Sequence, residues 1–313
     1  MAEHFVASPH WEWYILGYFF LGGLSGGMYT LATMLRLWGS PRDEAAARTA
    51  FLAAFPLLLL CPILLTIDLG RPLRFWHMLI DTTPGHGGLA FKYWSPMSVG
   101  SWALLLYGAF ALVSFIEVRT LDGRMRAPLA RAIAHALAGG AGRVVIGVGA
   151  LLGLYVASYT GVLLSVSNQP IWSDTWALGG LFLASGLSGS AALLAWLARY
   201  RPEGEATEWR LAQMERYFAI LELLLIALVL ANLAGAGTLT RALAKPWGVL
   251  WALVVASLVP PLVGMGGPAI QVASGTGSAA VARAAGASRT PMLASVLLGV
   301  LLMRFVVIFS AQF

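Results

Sequence analysis

Residues 13–38 read WYILGYFFLGGLSGGMYTLATMLRLW, and this stretch decides the fold. The 22 residues between Trp13 and Arg36 carry no charge, which is long enough for a helix that crosses a membrane. The centre of the stretch, residues 22–27, reads GGLSGG. Glycine weakens a helix in water, but in lipid small residues spaced four apart let two helix backbones approach closely. The stretch therefore predicts a membrane helix with a packing groove at its centre.

The whole chain has the composition of a membrane protein. Of its 313 residues, 59% are hydrophobic and 11% are charged, whereas soluble domains carry roughly 25% charged residues. The mean hydropathy is +0.78. Because eight segments are long and apolar enough, we predict an all-α integral membrane protein with eight transmembrane helices. The predicted spans are 13–36, 50–68, 96–117, 143–165, 175–198, 216–236, 247–266 and 291–310.

The basic residues predict how the chain is oriented. With the N-terminus outside, 14 of the 20 Lys and Arg residues fall in inner loops and 5 fall in outer loops. The remaining one, Arg304, lies within the last span. Cytoplasmic loops are enriched in Lys and Arg, so we predict that both termini face the outside, which is the periplasm of a bacterium. Membrane topology thus accounts for the net charge of +6, and no nucleic-acid partner is predicted.

Residues that bind metals and haem are scarce. The one cysteine, Cys61, excludes an internal disulfide and a cysteine-ligated cluster. None of the five histidines lies in the middle of a span, so no pair of axial haem ligands is available. We therefore predict no haem, no iron–sulfur cluster and no metal site in this chain. Any redox role would depend on a diffusible carrier or on a partner's cofactor.

An internal repeat divides the chain into two halves. Trp, nine residues, GLSG, nine residues and Arg occur in this order at 13–36 and again at 176–199, an offset of 163 residues. Four predicted spans separate the copies, so both run in the same direction across the membrane. We predict a parallel repeat of two four-helix bundles, formed by residues 1–170 and 171–313. Parallel repeats also occur in transporters, so the repeat does not select a function.

Polar side chains gather at the outer ends of the first four spans if this orientation holds. The candidates are Tyr14, Tyr18, Asp68, Arg71, Ser98 and Tyr159. Four helix ends with these groups can form a polar pocket in an apolar wall. Two simpler interpretations stay open, because tyrosines are enriched at membrane interfaces and because Asp68 and Arg71 are spaced for a structural ion pair. The outer ends of the second bundle are poorer in polar residues, which favours the first bundle as the site.

Charge is rare inside the predicted spans. Glu222 lies about seven residues into the sixth span, and Arg304 lies deep in the eighth. Such residues cost about 2.5–3.5 kcal/mol on membrane-insertion scales, so they are functional candidates. They form either a structural pair between neighbouring helices or part of a proton path. Residues 260–280, rich in Gly, Pro and Ser, are predicted to form an unwound or re-entrant piece at the inner face.

Four short stretches resemble the NrfD/PsrC family, the membrane subunits of polysulfide-reductase-like and related molybdopterin oxidoreductase complexes. They are WYILGYFFLGGLSGG (13–27), DLGRPLRFWHML (68–79), KYWSPMSVGSW (92–102) and YTGVLLS (159–165). The resemblance implies two four-helix bundles, no redox centre held by the chain, and a quinone site at the outer end of the first bundle. It also implies two partners, a ferredoxin-like iron–sulfur subunit with four clusters and a molybdopterin catalytic subunit.

The resulting hypothesis is a membrane anchor and quinone-reactive subunit of a respiratory molybdopterin oxidoreductase complex in the bacterial inner membrane. The protein would bind menaquinone or ubiquinone near the periplasm and exchange electrons with the iron–sulfur subunit, while the catalytic centre lies in another polypeptide. The residues expected to bind the quinone are Tyr14, Tyr18, Ser98 and Tyr159. Asp68 is expected to accept a proton, with Arg71 holding its charge. Tyr14 and Tyr18 stand where some relatives carry His or Asn.

Two other function classes stay open. A secondary transporter or proton channel would suit the repeat, Glu222 and Arg304. A purely structural anchor would bind no quinone at all. A redox subunit should co-purify with a ferredoxin-like subunit and change the redox state of quinone, whereas a transporter should move a solute in liposomes without partners.

Overall fold

A computed structural model describes residues 9–312 apart from 84, 86, 199–206 and 264–278. Within these residues the protein is almost entirely helical. The helices are α1 Trp13–Trp38, α2 Glu44–Asp68, α3 Pro96–Leu121, α4 Pro128–Ala136, α5 Gly140–Ser165, α6 Leu178–Ala198, α7 Glu208–Ala236, α8 Leu239–Ala242, α9 Trp247–Val263 and α10 Ala279–Ser310. Most of the predicted re-entrant segment, and Arg199 at the end of the second repeat, lie outside the described residues.

Seven of the helices are long and apolar enough to cross a membrane, namely α1, α2, α3, α5, α6, α7 and the part of α10 from Thr290 onward. The protein is therefore an all-α, multi-pass membrane protein, as predicted. The predicted span 247–266 corresponds to α9, which has 17 residues in the described part of the sequence. At about 1.5 Å per residue, α9 is about 26 Å long, slightly less than the roughly 30 Å hydrocarbon core.

The segment between α2 and α3 contains the two strands of the described structure. It contains a 3₁₀ helix, Pro72–Met78, and a hairpin in which strand β1, Ile80–Asp81, pairs antiparallel with strand β2, Gly88–Leu89. Pro96 opens α3 at a position where a helix needs no backbone N–H donor. The hydroxyl of Ser95 caps α3 by accepting a hydrogen bond from the backbone N–H of Ser98.

The long helices contact each other in two rings. Helices α1, α2, α3 and α5 form one ring, in which each helix contacts the next and α5 contacts α1. Helices α6, α7, α9 and α10 form the other ring in the same way. Helix α1 also contacts α6 and α10, and α5 contacts α6, so these helices join the two rings. We call the end of the first ring where α1 begins the Tyr18 end, and the end where α1 finishes the Arg36 end.

The glycines of GGLSGG lie where α1 crosses its neighbours. Gly23 faces Gly186 of α6, and a Cβ atom on Gly23 would lie 3.7 Å from the Cα atom of Gly186. A Cβ atom on Gly26 would overlap with the carbonyl oxygen of Gly153 in α5. This close packing is what the sequence predicted for the groove. Gly23 and Gly186 are equivalent positions of the repeat, so the two GLSG copies pack directly against each other.

Substitution of Gly26 tests this packing. We expect Gly26→Ala to lower the free energy of unfolding by about 1–3 kcal/mol, because the added methyl group meets backbone that cannot move aside. Gly22→Ala is the matched control, since its Cβ atom would lie 3.7 Å from the Tyr18 ring and 3.8 Å from the Cys61 sulfur. Thermal unfolding of both variants in detergent compares them. Equal unfolding midpoints for the two variants would contradict the close packing of α1 against α5 at Gly26.

Candidate functional site

Three tyrosines cluster at the Tyr18 end of the first ring. Tyr18 of α1 is 4% exposed, and the ionisable groups that surround it are Cys61 of α2 and the α5 residues Tyr155 and Tyr159. The rings of Tyr155 and Tyr159 stack with their centroids 5.7 Å apart. Two predicted site residues, Tyr18 and Tyr159, are thus brought together. Tyr155 was missed as a site residue, although it stands four residues before Tyr159 and so shares its helix face.

The hydroxyls of Tyr18 and Tyr159 differ in their hydrogen bonds. Within the part of the protein that the structure describes, the Tyr18 hydroxyl forms no hydrogen bond. The Tyr159 hydroxyl donates to the carbonyl oxygen of Pro96 at 2.7 Å. Buried polar groups are normally paired, so the Tyr18 hydroxyl is available to a ligand, and so is the hydroxyl of the partly exposed Tyr155, which also has no hydrogen-bond partner among the described residues. The Tyr159 hydroxyl retains only its acceptor capacity.

Ser98 organises the start of α3. Its hydroxyl donates to the carbonyl oxygen of Ala90 at 3.1 Å and accepts from the backbone N–H of Lys92 at 3.0 Å. The indole N–H of Trp102 donates to the same Ala90 oxygen at 3.2 Å. Ser98 is 8% exposed and its hydroxyl is already engaged on both sides. These bonds hold the hairpin against α3, so Ser98 shapes the region around Tyr159 through the backbone.

Asp68 and Arg71 do not form the expected ion pair, and no hydrogen bond joins their side chains in the described structure. Helix α2 ends at Asp68, and Gly70 then adopts a positive φ of 54°. The turn takes Arg71 off the helix, so the three-residue spacing no longer brings the two groups together. Both residues are exposed, and the charge that acts on Asp68 is the carboxylate of Glu12. Tyr14 is 37% exposed, one turn from Tyr18 toward the start of α1.

Arg304 is fully buried where α10 meets α1 and α6. Its guanidinium donates to the carbonyl oxygens of Phe19 and Phe182 at 3.1 Å each, and to the hydroxyl of Ser185 at 2.8 Å. It also donates to the carbonyl of Val300 in its own helix at 3.1 Å. A Cβ atom on Gly23 would lie 2.5 Å from the guanidinium, so the glycine groove also makes room for Arg304. Arg304 therefore ties α1 to the second ring.

Glu222 of α7 is 1% exposed and interacts electrostatically with Arg304. No ion pair within 4.0 Å joins them in the described structure, so the expected direct pair is not formed. The physical reason is that backbone carbonyls and Ser185 already occupy the Arg304 donors. One carboxylate oxygen of Glu222 has no hydrogen-bond partner among the described residues.

A cavity of about 340 Å³ opens at the Arg36 end, opposite the tyrosine cluster. Its charged lining includes Arg36, Glu44, Glu117 and Arg143. The Arg36 guanidinium forms ion pairs with Glu44 and with Glu117, each at 3.0 Å. Among the described residues, no group of three or more His, Cys, Asp and Glu side chains is placed to hold a metal ion. The first ring thus has a polar site at each end.

Sequence comparison agrees with this architecture. The profile of the family described as "Polysulphide reductase, NrfD" matches residues 3–313. The chain belongs to the NrfD family. This NrfD-family protein is 29% identical to Protein NrfD of Escherichia coli over an alignment of 336 positions, which covers 99% of the present sequence and 97% of that protein.

Two further relatives match in part. A polysulfide reductase polypeptide from Wolinella succinogenes is 34% identical over an alignment of 190 positions, which covers 57% of the present sequence and 55% of that protein. The match thus spans about half the length of this relative. A selenate reductase subunit from Mesobacillus selenatarsenatis is 31% identical over 108 residues, or 34% of the present sequence and 22% of that protein.

Removal of single hydroxyls tests the different states of Tyr18 and Tyr159. We expect Tyr159→Phe to lower the free energy of unfolding by about 1 kcal/mol, because it leaves the Pro96 carbonyl without its donor. Tyr18→Phe removes a hydroxyl without a partner in the described structure, so we expect an unchanged unfolding midpoint. Thermal unfolding in detergent measures both. A larger loss of unfolding free energy for Tyr18→Phe than for Tyr159→Phe would contradict the conclusion that the Tyr18 hydroxyl has no hydrogen-bond partner while the Tyr159 hydroxyl has one.

Proposed function

We propose that this NrfD-family protein is the membrane subunit of a respiratory molybdopterin oxidoreductase complex, where it exchanges electrons between the quinone pool and an iron–sulfur subunit. Membership of the family over the whole sequence supports this proposal. Two of the relatives are named as single polypeptides of multi-subunit reductases, of polysulfide and of selenate, which supports a role beside other subunits. The proposed location is the bacterial inner membrane.

We further propose eight spans in two four-helix bundles, residues 1–170 and 171–313, with both termini in the periplasm. The two rings of contacting helices support the bundles, with α9 as the eighth span. The excess of Lys and Arg in the predicted inner loops supports the orientation. In this orientation the Tyr18 end faces the periplasm and the Arg36 end faces the cytoplasm.

The observation that carries the quinone site is Tyr18, a residue that is 4% exposed beside aromatic rings and whose hydroxyl has no hydrogen-bond partner among the described residues. A quinone has an apolar ring and tail with two oxygens that need hydrogen bonds. The donor set fits such a headgroup, because Tyr18 can donate and the stacked Tyr155 and Tyr159 offer flat surfaces. Either menaquinone or ubiquinone supplies two-electron, two-proton chemistry when bound.

The remaining predicted site residues have supporting roles in this proposal, each set by its position. Tyr14 contacts the quinone at the outer edge of the site, since Tyr14 is partly exposed one helix turn from Tyr18. Ser98 holds the backbone that receives the Tyr159 hydroxyl. Asp68 exchanges protons with the outer solution, for which its exposure at the end of α2 is suitable. Arg71 follows the turn at Gly70 and is exposed at the same end of the first ring, where its charge is available to the quinone site without a direct contact to Asp68.

The partner binds, in this proposal, to the outer aromatic surface, which we define as the exposed apolar side chains between α2 and α3. These are Leu69, Leu73, Phe75, Trp76, Ile80, Leu89, Phe91, Tyr93 and Trp94. Leu73 is 89% exposed and Tyr93 is 76% exposed, and large exposed apolar patches mark interaction sites. The surface adjoins the tyrosine cluster through α3. A ferredoxin-like subunit with four clusters, bound there, would transfer electrons to a molybdopterin catalytic subunit.

The second candidate function is a secondary transporter or proton channel. The observation that favours it is Glu222, which is buried and has one carboxylate oxygen without a partner among the described residues. In that case Glu222 and Arg304 would form the proton path. The contacts of Arg304 support a structural role instead, because its guanidinium bonds acceptors on three helices. Proton movement by the protein alone in liposomes would favour the channel.

Substitution of Asp68 tests the quinone proposal. We expect Asp68→Asn to abolish quinone-linked turnover of the assembled complex, because the amide cannot accept a proton. Asp81→Asn is the matched control, since its side-chain oxygen can still accept the hydrogen bonds from Thr83. Turnover is measured with a short-chain ubiquinol and a short-chain menaquinol after co-purification confirms assembly. Undiminished turnover in Asp68→Asn would remove Asp68 from the mechanism.

Substitutions on the outer aromatic surface test partner docking. We expect Leu73→Glu combined with Tyr93→Glu to prevent co-purification of the iron–sulfur subunit, because two charges would be buried in an apolar interface. Leu129→Glu is the control, since Leu129 is 73% exposed on α4 at the Arg36 end. Affinity purification from membranes followed by gel analysis gives the result. Retention of the partner by the double variant would rule out this surface.

A further inference from the structure

The segment that joins α3 to α5 is strongly basic. It covers residues 119–143, contains α4, and is called the basic loop below. Its one acidic residue is Asp122, which forms an ion pair with Arg48 of α2 at 3.3 Å. Its five arginines are Arg119, Arg124, Arg126, Arg131 and Arg143. The basic loop therefore carries an excess of positive charge that its own residues do not balance.

Most arginines of the basic loop have no acidic partner. Near the same end of the protein, Arg36, Arg48 and Arg210 form ion pairs with the acidic side chains that surround them. Among the described residues, no ion pair involves the arginines at positions 124, 126, 131 and 143, and all four residues are exposed. These four guanidinium groups are therefore free to bind an anion from outside the protein.

Helix α4 adds an exposed apolar face to this charge. Residues at spacings of three and four share a helix face, and one such face of α4 consists of Leu129, Ala132 and Ala136, all of which are exposed. Leu129 is 73% exposed. Arg131 and His135 lie on the adjoining face, four residues apart. Ala130, on another side of α4, is 3% exposed, and α4 contacts α3. Helix α4 is thus fixed to the protein with an apolar face and a basic face left open.

The position of the basic loop decides between two kinds of partner. Helices α3 and α5 are both long enough to cross a membrane, so the loop that joins them lies at the membrane surface. An acidic protein would match the charge, but phospholipid headgroups are always within reach of a loop that is tied to two spans. A helix with an apolar face beside a basic face is typical of the membrane interface, where the apolar face enters the acyl region and long basic side chains reach the headgroups.

We propose that the basic loop binds the headgroups of anionic phospholipids in the leaflet at the Arg36 end. The exposed arginines donate hydrogen bonds to phosphate oxygens, for which the planar guanidinium is well suited. Leu129 contacts the upper part of the acyl chains. In the proposed orientation this is the cytoplasmic leaflet. The proposal goes beyond the proposed function and depends on neither the quinone site nor the redox partner.

Helix α8 provides a comparison at the opposite surface of the membrane. Trp172, which precedes α6, contacts Trp11, which precedes α1, and Asn232 of α7 donates to Thr175 beside them at 3.0 Å. Helix α8 follows α7 and therefore lies at the Tyr18 end. It carries Arg241 and is followed by Lys245, both of which are exposed. Removal of these two charges is the matched control for removal of two charges from the basic loop.

Lipid titration of the purified complex tests the proposal. The assembled complex is delipidated in a neutral detergent and titrated with phosphatidylglycerol, or with phosphatidylcholine that has the same acyl chains, and native mass spectrometry counts the bound lipids. We expect the wild-type complex to bind phosphatidylglycerol at least tenfold more tightly than phosphatidylcholine. Inorganic phosphate is the third titrant, and we expect it not to compete, because it lacks the acyl chains that contact Leu129.

Two double variants locate the lipid site. Arg124→Gln combined with Arg131→Gln removes two exposed charges that form no ion pair in the described structure. Since each basic residue near an anionic surface contributes about fivefold in affinity, we expect the affinity for phosphatidylglycerol to fall by about tenfold or more. Arg241→Gln combined with Lys245→Gln should keep the wild-type affinity. If the first double variant does not assemble, Arg126→Gln combined with Arg131→Gln takes its place.

Four results would overturn the proposal. They are equal wild-type affinities for the two lipids, an unchanged affinity for phosphatidylglycerol in the basic-loop variant, an equal loss in the control variant, and competition by inorganic phosphate. The arginine variant would also assign this surface to a protein instead if it lost a co-purifying protein while it still bound phosphatidylglycerol. None of these results bears on quinone turnover, so this proposal and the proposed function fail separately.

Discussion

The close approach of α1 to its neighbours is the constraint on which the rest of this structure depends. Gly23 and Gly26 bring the α1 backbone against α6 on one side and α5 on the other. Because α1 is held this tightly, its rotation about its own axis is fixed. That rotation places Tyr18, Ser25, Tyr29 and Arg36 inside the first ring and turns the Phe19 carbonyl toward Arg304. A larger residue at the crossing would therefore disturb the polar interior as well as the packing.

The two halves of the repeat meet at one helix crossing, but the polar residues inside the two rings differ. Gly23 and Gly186 are equivalent, and each packs against the other. In the first half, hydroxyls of α1 and α3 form hydrogen bonds with each other, in the pairs Ser25–Tyr107 and Tyr29–Ser114. In the second half, Arg304 donates hydrogen bonds mostly to backbone carbonyl oxygens. In the proposed function, the first ring carries the quinone site and the second ring supports it. Membership of the NrfD family supports a role for the protein as a membrane subunit of a redox complex.

Much of the fold follows from the sequence, because uncharged stretches of about 20 residues have few alternatives to a membrane helix. The groove at GGLSGG was also predictable, since small residues at this spacing need a close partner. The site was predictable only in part. The ion pair between Asp68 and Arg71, which the sequence left open, is not formed, because the turn at Gly70 takes Arg71 away from the helix. The pairing of Ser25 with Tyr107 depends on the relative rotation of α1 and α3, and the acceptors of Arg304 are mostly backbone carbonyls, which sequence does not reveal.

The central claim is that a quinone headgroup binds beside Tyr18, at the end of the first ring where α1 begins. Photolabelling of the purified complex with a short-chain azidoquinone, followed by peptide mapping, tests it most directly. The account predicts label on the first turns of α1 and on α5 near Tyr155, with labelling suppressed by excess unlabelled quinone. Specific label confined to the residues that line the Arg36 cavity, or to the second ring, would contradict the account.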